Sequence, residues 1–258
     1  ASAIAEKFKA QKNYNVYLLN SKIERNTKYK YKLKAFEKPE EYENNIPDLK
    51  KFFSDLNDYV QIFIVGSSYS SNYCLGILEQ IKDKKIDVFY VKPDIELLTG
   101  VPKLLENLVF GVLQEYARSG LLNSVTIISN ESIEQNIQNI FSAVHYLNFF
   151  DHTDPEIGQV AKPSDINRIR SLGMLDPKNL QEKWFFDLDM SRDVCYYLCI
   201  NEQRLEDEVG LHKRIVDMLK EKPRNAYHKI SYAIYETHLS DFGFCVAHTN
   251  AIQQQKNS

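Results

Sequence analysis

Hydrophobic residues recur along this chain with two different periods, which separate predicted helices from predicted strands. Apolar residues three and four positions apart predict helices over residues 1–11, 46–56, 101–120, 132–150, 164–175 and about 206–220. Short apolar or alternating runs predict strands over residues 14–20, 28–36, 123–129, 193–200, 228–237 and 242–249. Residues 60–93 run strand, small-residue loop, helix and strand.

Strands that alternate with helices predict βαβ units and a mainly parallel sheet in the first half of the chain. The character changes at residues 151–165, which carry two prolines and many polar residues. We therefore predict an α/β domain of the nucleotide-binding type over residues 1–150, which ends in a central helix. A smaller α+β domain follows over residues 151–258. Its last two strands flank H-L-S-D (238–241), which favours an antiparallel hairpin.

Composition and charge argue against several classes of function. Hydrophobic residues make up 43% of the 258 residues, enough for a core, and the formal net charge is −3. This balance gives no general attraction for nucleic acid or for an anionic membrane. Lysines on an edge strand explain K-Y-K-Y-K-L-K-A-F (28–36) better than a basic patch does. No apolar run reaches the roughly twenty residues of a membrane helix, so we expect a soluble, cytoplasmic protein without a nucleic-acid or membrane partner.

Cysteine and histidine positions give no metal or redox motif. Cys74, Cys195, Cys199 and Cys245 form no C-x-x-C pair, and the six histidines are scattered without a second ligand at short spacing. Buried thiols in a reducing compartment are the simplest interpretation. The sequence also lacks a Walker A lysine motif, a G-x-G-x-x-G fingerprint and a G-x-S-x-G elbow.

The candidate ligand loop is G-S-S-Y-S-S-N, residues 66–72. Glycines let a backbone approach phosphate oxygens, and Gly66 is the only glycine of this loop. Serine hydroxyls and the N–H groups of the following helix still offer donors for an anion. Alternatively, the serines and Asn72 cap that helix and bind no ligand. Both interpretations stay open from the loop alone.

The order of elements and their junctions resembles the tubulin and FtsZ family. V-Y-L-L-N (16–20) is similar to the family's early strand with its Asn-containing turn, and residues 66–72 lie where the family keeps its G-G-G-T-G-[TS]-G phosphate loop. V-T-I-I-S-N-E-S-I (125–133) resembles the strand and turn before the long central helix. S-D-I-N-R-I-R-S-L-G-M-L (164–175) resembles the next helix, where the family keeps catalytic acids. Because the chain opens on a helix, the resemblance also predicts that a first strand and loop precede Ala1.

The resemblance implies a set of nucleotide contacts and one catalytic acid. Asn139, or the nearby Asn136, falls where the family's central helix contacts the guanine. Asp165 falls on an acid that acts on the nucleotide of the next subunit, although a helix N-cap explains it equally well. The family's other acid falls near Lys162 or Pro163, neither of which is acidic. The implied nucleotide contacts are Asn20, Gly66, Ser67, Ser68, Ser70, Ser71, Asn72, Asn130 and Asn139.

Two functions of different classes follow from the resemblance. The first is a self-associating tubulin/FtsZ-like protein, such as a filament subunit, that binds GTP or GDP with Mg²⁺ and has a weak or absent GTPase activity. The second is a pseudo-tubulin, a structural or interaction subunit that binds no nucleotide and contacts itself or another protein. Frequent Lys, Asn, Ile and Tyr residues are typical of an AT-rich genome such as that of a phage.

Overall fold

The structure, a computed structural model, describes residues 2–160, 168–190, 193–222 and 229–254. The helices are α1 Ser2–Lys9, α2 Pro39–Asn44, α3 Cys74–Gln80, α4 Val101–Ser119, α5 Asn130–Phe150, α6 Glu202–Asp207 and α7 Leu211–Glu221. The strands are β1 Leu18–Asn20, β2 Lys30–Lys32, β3 Tyr59–Val65, β4 Lys85–Lys92, β5 Ser124–Ser129, β6 Ile157–Gln159, β7 Ile169–Leu175, β8 Glu182–Trp184, β9 Asp193–Asn201, β10 Lys229–Thr237 and β11 Phe242–Thr249.

These residues form two compact units. The first contains residues up to 137 together with the segment from 252, and the second contains residues 138–251. The predicted division into domains of residues 1–150 and 151–258 stays a prediction. The predicted fold class, a mainly parallel α/β part followed by a central helix and a smaller α+β part, is confirmed.

A parallel sheet in the order β3, β4, β5 carries the first unit. β4 is buried on both faces, as expected for a central parallel strand. Its buried Asp87 accepts hydrogen bonds from Tyr59 on β3 and from Ser124 on β5. One carboxylate therefore links all three strands near their starts, where the same hydrogen bonds satisfy its buried charge.

A smaller aromatic cluster packs around α3 and the 3₁₀ turn Ser71–Tyr73 that precedes it. β1 and β2, which pair in parallel over three residues each, are shorter than the predicted strands 14–20 and 28–36. The cluster's buried residues are Leu33, Tyr42, Leu49, Tyr73 and Ile77.

The helix predicted over residues 46–56 is wrong, because this segment forms turns instead. Leu49 N–H donates to the Gln80 side chain at 2.7 Å, and the Gln80 amide donates to the Pro47 carbonyl at 2.9 Å. These contacts with α3 use backbone groups that a continuous helix would need. Tertiary hydrogen bonds therefore override the local helical pattern.

The second unit holds a mixed sheet in the order β7, β11, β9, β10, β6, with β8 beside β7. The predicted hairpin of the last two strands is wrong, since β9 lies between them. β9 pairs in parallel with β10 and antiparallel with β11. Residues 194–200 of β9 are buried, as expected for a strand inside a sheet with a neighbour on each side.

The helix predicted over residues 164–175 is also wrong where the structure describes it. Residues 169–175 form β7, which pairs with β11 and β8. Residues 164–167 lie outside the described residues. A Cβ on Gly173 would lie 2.8 Å from the Lys183 carbonyl oxygen and 2.9 Å from Cys245 Sγ. The close approach of the neighbouring strands on both sides therefore determines the structure of this segment, although its apolar residues have helical spacing.

The predicted central helix corresponds to α5, Asn130–Phe150, which is interrupted at Asn136. Asn136 has φ −128° and ψ 26°, outside helical geometry. The α4 helix follows its prediction closely, since it ends at Ser119 with Gly120 in the left-handed conformation at φ 86°.

Candidate functional site

The predicted ligand loop connects the end of β3 to the 3₁₀ turn Ser71–Tyr73 and α3. Gly66 N–H donates to the Val91 carbonyl at 3.0 Å, which extends the pairing of β3 with β4 by one residue. The next residue, Ser67, has φ 55°, a left-handed conformation that is uncommon for a residue with a side chain. The chain turns away from the sheet at this residue.

Gly66 is required by close packing. A Cβ at this position would lie 2.6 Å from both Tyr90 Oη and Pro93 Cδ, and 2.7 Å from Glu106 Oε1. These distances are shorter than real Cβ contacts. The glycine expected to admit a phosphate therefore admits the protein's own Tyr90 and Glu106 side chains.

Glu106 of α4 supplies an internal anion to the start of the loop. Its Oε2 accepts hydrogen bonds from Ser67 N–H at 2.7 Å and from Ser67 Oγ at 3.2 Å, while Oε1 accepts one from Tyr90 Oη. Glu106 is only 3% exposed, and Tyr90 is fully buried. Burial raises the pKa of the Tyr90 hydroxyl well above its ordinary value, and the Glu106 charge raises it further. Tyr90 therefore remains a hydrogen-bond donor to Glu106.

Lys92, at the end of β4, also interacts electrostatically with the Glu106 carboxylate. Burial lowers the pKa of the Lys92 ammonium, whereas Asp94 and Glu106 act in the opposite direction. The loop thus lies close to a buried negative group whose field acts on a half-buried lysine. Any incoming phosphate would meet the repulsion of Glu106 together with the attraction of Lys92.

Within the loop, Ser68 and Ser71 form hydrogen bonds with each other and with the neighbouring backbone. Ser68 Oγ donates to the Val65 carbonyl at 2.7 Å and accepts from Ser71 N–H at 3.1 Å. Ser71 Oγ donates to the Ser68 carbonyl at 2.7 Å, and Ser71 is 5% exposed. Ser68 therefore satisfies the Ser71 N–H at the start of the 3₁₀ turn. The residues at the N-cap positions of that turn and of α3, Ser70 and Tyr73, make no side-chain cap hydrogen bond, and Asn72 does not cap α3 as the capping interpretation expected.

Part of the loop nevertheless keeps donors available. Among the residues that the structure describes, the backbone N–H groups of Ser68, Tyr69 and Ser70 have no hydrogen-bond partner. The Tyr69 side chain is 60% exposed. Three consecutive exposed or half-exposed residues thus present backbone donors at the tip of the loop.

The remaining predicted residues lie in other elements. Asn20 ends β1, and its Oδ1 accepts from Lys22 N–H at 3.0 Å, as in an Asx turn. Asn72 is half-buried in the 3₁₀ turn, and Asn130 is the first residue of α5. Asn139 belongs to the second unit. Asp165, the predicted catalytic acid, lies outside the described residues.

Sequence reasoning missed Glu106 and Tyr90, although α4 carries a signal for the first. Glu106 shares the helical spacing of the buried face, whose other members are Val109, Phe110, Leu113, Gln114 and Ala117. A carboxylate on an apolar helix face predicts a buried polar partner. Tyr90 stands in an apolar strand and gives no such signal.

Across residues 2–160, 168–190, 193–222 and 229–254, no three His, Cys, Asp or Glu side chains group closely enough to hold a metal ion. None of the helices in these ranges is long and apolar enough to cross a membrane. Cys74, Cys195, Cys199 and Cys245 are buried and form no disulfide bond.

Comparison with known proteins gives a match in fold without a match in sequence. No family model matches the chain, and no curated protein sequence matches it. CetZ from Methanosaeta thermophila strain DSM 6194 is 10% identical, with a TM-score of 0.60 over 96% of this chain and 82% of that chain. GDP-form protofilaments of TubZ from Bacillus thuringiensis serovar israelensis are 12% identical, with a TM-score of 0.66 over 95% of this chain and 81% of that chain.

A second structure of the same TubZ, a GTPγS-form protofilament, is 12% identical with a TM-score of 0.56 over 88% of this chain and 75% of that chain. CetZ and TubZ are both tubulin/FtsZ-like proteins. At these identities the likeness concerns the fold, and it confirms the resemblance first seen in the order of elements. This chain has a tubulin/FtsZ-like fold.

Proposed function

We propose that this protein is a self-assembling tubulin/FtsZ-like subunit that acts as a structural component and does not depend on nucleotide. Its fold is that of proteins whose structures include protofilaments of TubZ. The single observation that favours a nucleotide-independent subunit is the hydrogen bond that Ser67 N–H donates to the buried Glu106 carboxylate. The Glu106 carboxylate is negatively charged, as a phosphate is, and it already accepts hydrogen bonds from the backbone N–H and the hydroxyl of Ser67.

The fit of a nucleotide to this loop is therefore poor at Ser67. A phosphate oxygen beside Ser67 N–H would compete with Glu106 Oε2, which already accepts from both donors of that residue. The two negative charges would repel each other, and water screens the buried Glu106 carboxylate poorly. We assign no hydrolytic step to the described residues.

A second candidate function keeps the nucleotide. The unpartnered N–H groups of Ser68, Tyr69 and Ser70 favour it, because consecutive backbone donors are typical of anion sites. In this candidate GTP or GDP with Mg²⁺ would contact the tip of the loop, as the GTPγS and GDP forms of TubZ suggest by analogy. The roles of Asp165 in hydrolysis and of Asn139 at the base belong to this candidate and stay predictions.

Calorimetry and sedimentation of the purified full chain separate the two candidates. For the structural subunit we expect assembly that rises steeply above a threshold protein concentration, with the same threshold without nucleotide and with GTP or GDP plus magnesium. We also expect no heat of GTP binding in the micromolar range. Micromolar binding that lowers the threshold would instead support the nucleotide-binding candidate.

Self-assembly itself is tested in the same experiment. A chain that stays monomeric by analytical ultracentrifugation under all of these conditions would overturn the proposal of a self-assembling subunit. Electron microscopy of the pellet distinguishes filaments from amorphous aggregate, which would also overturn it.

A further inference from the structure

The segment that contains β2 carries a local excess of positive charge. Lysine and arginine occur seven times in residues 22–38 and glutamate twice, in a chain whose formal net charge is −3. Four basic residues of this segment are exposed and lie on or beside β2. We call them the basic hairpin, and they are Arg25, Lys30, Lys32 and Lys34.

Side-chain contacts place the lysines of β2 away from the aromatic cluster around α3. The Tyr31 ring packs edge-on against the Phe52 ring, with 5.5 Å between the centroids, and Leu33 is buried in the same cluster. Successive side chains of a strand point to opposite faces. Lys30 and Lys32 therefore point to solvent, and two residues of strand separate them by roughly 6.6 Å.

The structure removes the simplest explanation of these lysines, which is that they guard an open strand edge. On the side of β2 away from β1, Thr27 N–H donates to the Lys30 carbonyl at 2.8 Å and Lys30 N–H donates to the Thr27 carbonyl at 3.4 Å. Lys32 N–H donates to Asn26 Oδ1 at 2.7 Å. The protein's own chain therefore already takes the backbone donors of both lysines, and positive charge is not needed there to prevent pairing with another strand.

The charges of the basic hairpin are not neutralised within the protein. Among the residues that the structure describes, none of its four members forms a salt bridge, and the adjacent Glu24 pairs with none of them. Lys34 contacts the Phe36 ring, at 4.7 Å from the centroid, and stays exposed. Lys28 differs, because its ammonium lies 3.0 Å from Asp55 Oδ2. The charge of the four members is therefore available to a partner.

The surroundings of these charges indicate which anion fits. A row of cations along an extended segment suits a linear polyanion. An acidic peptide that adds to the sheet as a strand would need the edge donors that are already taken. An anionic membrane is bound by apolar side chains beside the basic ones, whereas Tyr31 and Leu33 pack inward.

Tyr29 adds an aromatic surface beside the row. It precedes Lys30 in the turn, is 38% exposed and packs edge-on against the Tyr17 ring at 5.3 Å between centroids. An unpaired nucleobase can stack on such a ring. Basic side chains that follow the phosphates, combined with aromatic rings that stack on bases, are typical of proteins that bind single strands.

We infer that the basic hairpin binds the phosphate backbone of a single-stranded nucleic acid, with a base stacked on Tyr29. This partner lies beyond the proposed self-assembly and does not depend on it. The expectation that no nucleic acid binds came from the net charge of the whole chain, whereas a bound strand responds mainly to charges within a Debye length of roughly 10 Å. Four contacts give weak binding to one copy, and an assembly that presents many basic hairpins would bind one strand more tightly through multivalency.

Fluorescence anisotropy with a labelled single-stranded DNA of about 20 nucleotides tests the inference on the full chain. At roughly 20 mM salt we expect a dissociation constant of about 10 to 100 μM. Its logarithm should rise with the logarithm of the salt concentration with a slope of about 3, since each of four phosphates contributes about 0.7. Analytical ultracentrifugation of the same samples reports assembly separately.

Charge removal gives the matched comparison. Lys30→Gln combined with Lys32→Gln should weaken binding roughly tenfold or more at this salt concentration and reduce the slope by about 1.4. Lys178→Gln combined with Lys213→Gln is the control, because both lysines are exposed residues of the second unit and the net charge changes equally. Circular dichroism and urea midpoints should stay close to wild type for both. Equal weakening by the two double variants would overturn the inference, because general charge would then explain the binding.

Substitutions of Tyr29 separate stacking from charge. We expect Tyr29→Ala to weaken binding roughly fivefold or more with an unchanged salt slope, because the variant lacks the ring on which a base stacks. Tyr29→Phe keeps the ring and should bind as wild type does. Equal loss of affinity in both variants would overturn the stacked base.

Competitors distinguish other occupants of the basic hairpin. Unlabelled single-stranded DNA should displace the probe, whereas polyglutamate and phosphatidylserine vesicles at the same concentration of charge should not. Equal displacement by either competitor, or no salt-dependent binding by wild type, would overturn the inference but leave self-assembly intact. A wild-type chain that binds the DNA and never assembles would overturn the proposed function and leave this inference intact.

Discussion

Glu106 and Ser67 are joined by two hydrogen bonds, since Glu106 Oε2 accepts from the Ser67 backbone N–H at 2.7 Å and from Ser67 Oγ at 3.2 Å. The residues are 39 positions apart in sequence and connect α4 to the end of β3. The contact gives the candidate phosphate loop a permanent internal acceptor. Through the same contact, the conformation of the loop depends on how α4 packs.

Removing the Glu106 carboxylate should destabilise the first unit. We expect Glu106→Ala to lower the free energy of unfolding by about 3 kcal/mol, because Ser67 N–H and Tyr90 Oη lose their buried acceptor. Glu106→Gln keeps an acceptor oxygen and should cost about 1 kcal/mol. Urea denaturation measures both, and Glu115→Gln on the exposed face of α4 is the control. Equal losses for Glu106→Ala and Glu115→Gln would contradict the role of the buried network.

The same substitution tests whether charge is what keeps a nucleotide out. If repulsion by Glu106 dominates, Glu106→Gln should increase the affinity for GTP at least tenfold over wild type, measured by calorimetry at low ionic strength. Glu115→Gln should leave the affinity unchanged. Undetectable binding by wild type and by Glu106→Gln alike would show that the shape of the loop, and not its charge, excludes nucleotide.

Periodicity predicted those parts of the fold that local burial determines. The α4 helix, with its Gly120 cap, and the buried strand β5 follow directly from the spacing of apolar residues. Residues 46–56 and 169–175 have helical spacing too, but contacts with distant residues decide their structure. The Gln80 side chain takes the Leu49 N–H, and neighbouring strands enclose Gly173. No local pattern records such contacts.

The candidate site was predictable as a position and not as a chemical environment. The loop 66–72 lies between a strand and a helix as expected, and the Ser68 hydroxyl accepts a hydrogen bond from Ser71 N–H at the start of the 3₁₀ turn. The environment depends on Glu106, which approaches from another helix. Only its place on the buried face of α4 indicated in advance that this carboxylate needs polar partners.

Two glycines of the first unit should respond in opposite directions to alanine. Gly66→Ala forces a methyl group to within 2.6 Å of Tyr90 Oη and Pro93 Cδ, so we expect a loss of about 1 to 3 kcal/mol. Gly111→Ala meets no heavy atom within 4 Å and should gain up to about 1 kcal/mol from helix propensity. Thermal and urea unfolding check both. A Gly66→Ala variant as stable as wild type would contradict the close packing at this glycine.

The segment that follows β11 should depend on one glutamine of α4. Gln114 Nε2 donates to the Gln253 carbonyl at 3.2 Å, and its Oε1 accepts from Gln253 N–H at 2.7 Å. Both residues are buried. We expect Gln114→Ala to cost about 1 to 3 kcal/mol and to accelerate proteolytic cleavage near residue 253. The exposed Gln138→Ala is the control and should change neither stability nor cleavage, within about 0.5 kcal/mol.

Alkaline pH should destabilise the protein through Cys74, which lies at the start of α3 behind the candidate loop. Burial raises the pKa of this thiol to about 12 from its ordinary value of 9.0, and the Glu106 charge adds to the increase. Because the folded state holds the proton more tightly than the unfolded state, the contribution of Cys74 to stability is complete below pH 9. It is lost progressively as the pH rises from 9 to about 12.

Cys74→Ala removes this titration and therefore serves as the reference. Between pH 9 and 11 we expect the free energy of unfolding of wild type to fall faster than that of Cys74→Ala, by up to about 1.4 kcal/mol per pH unit for one proton. Below pH 8 the difference between the two proteins should not depend on pH. Urea unfolding at each pH measures the slopes, and thiol labelling gives a direct readout, since Cys74 should react only as the protein opens. Parallel slopes over this range, or rapid labelling of the folded protein at pH 8, would show that Cys74 is not buried behind the loop.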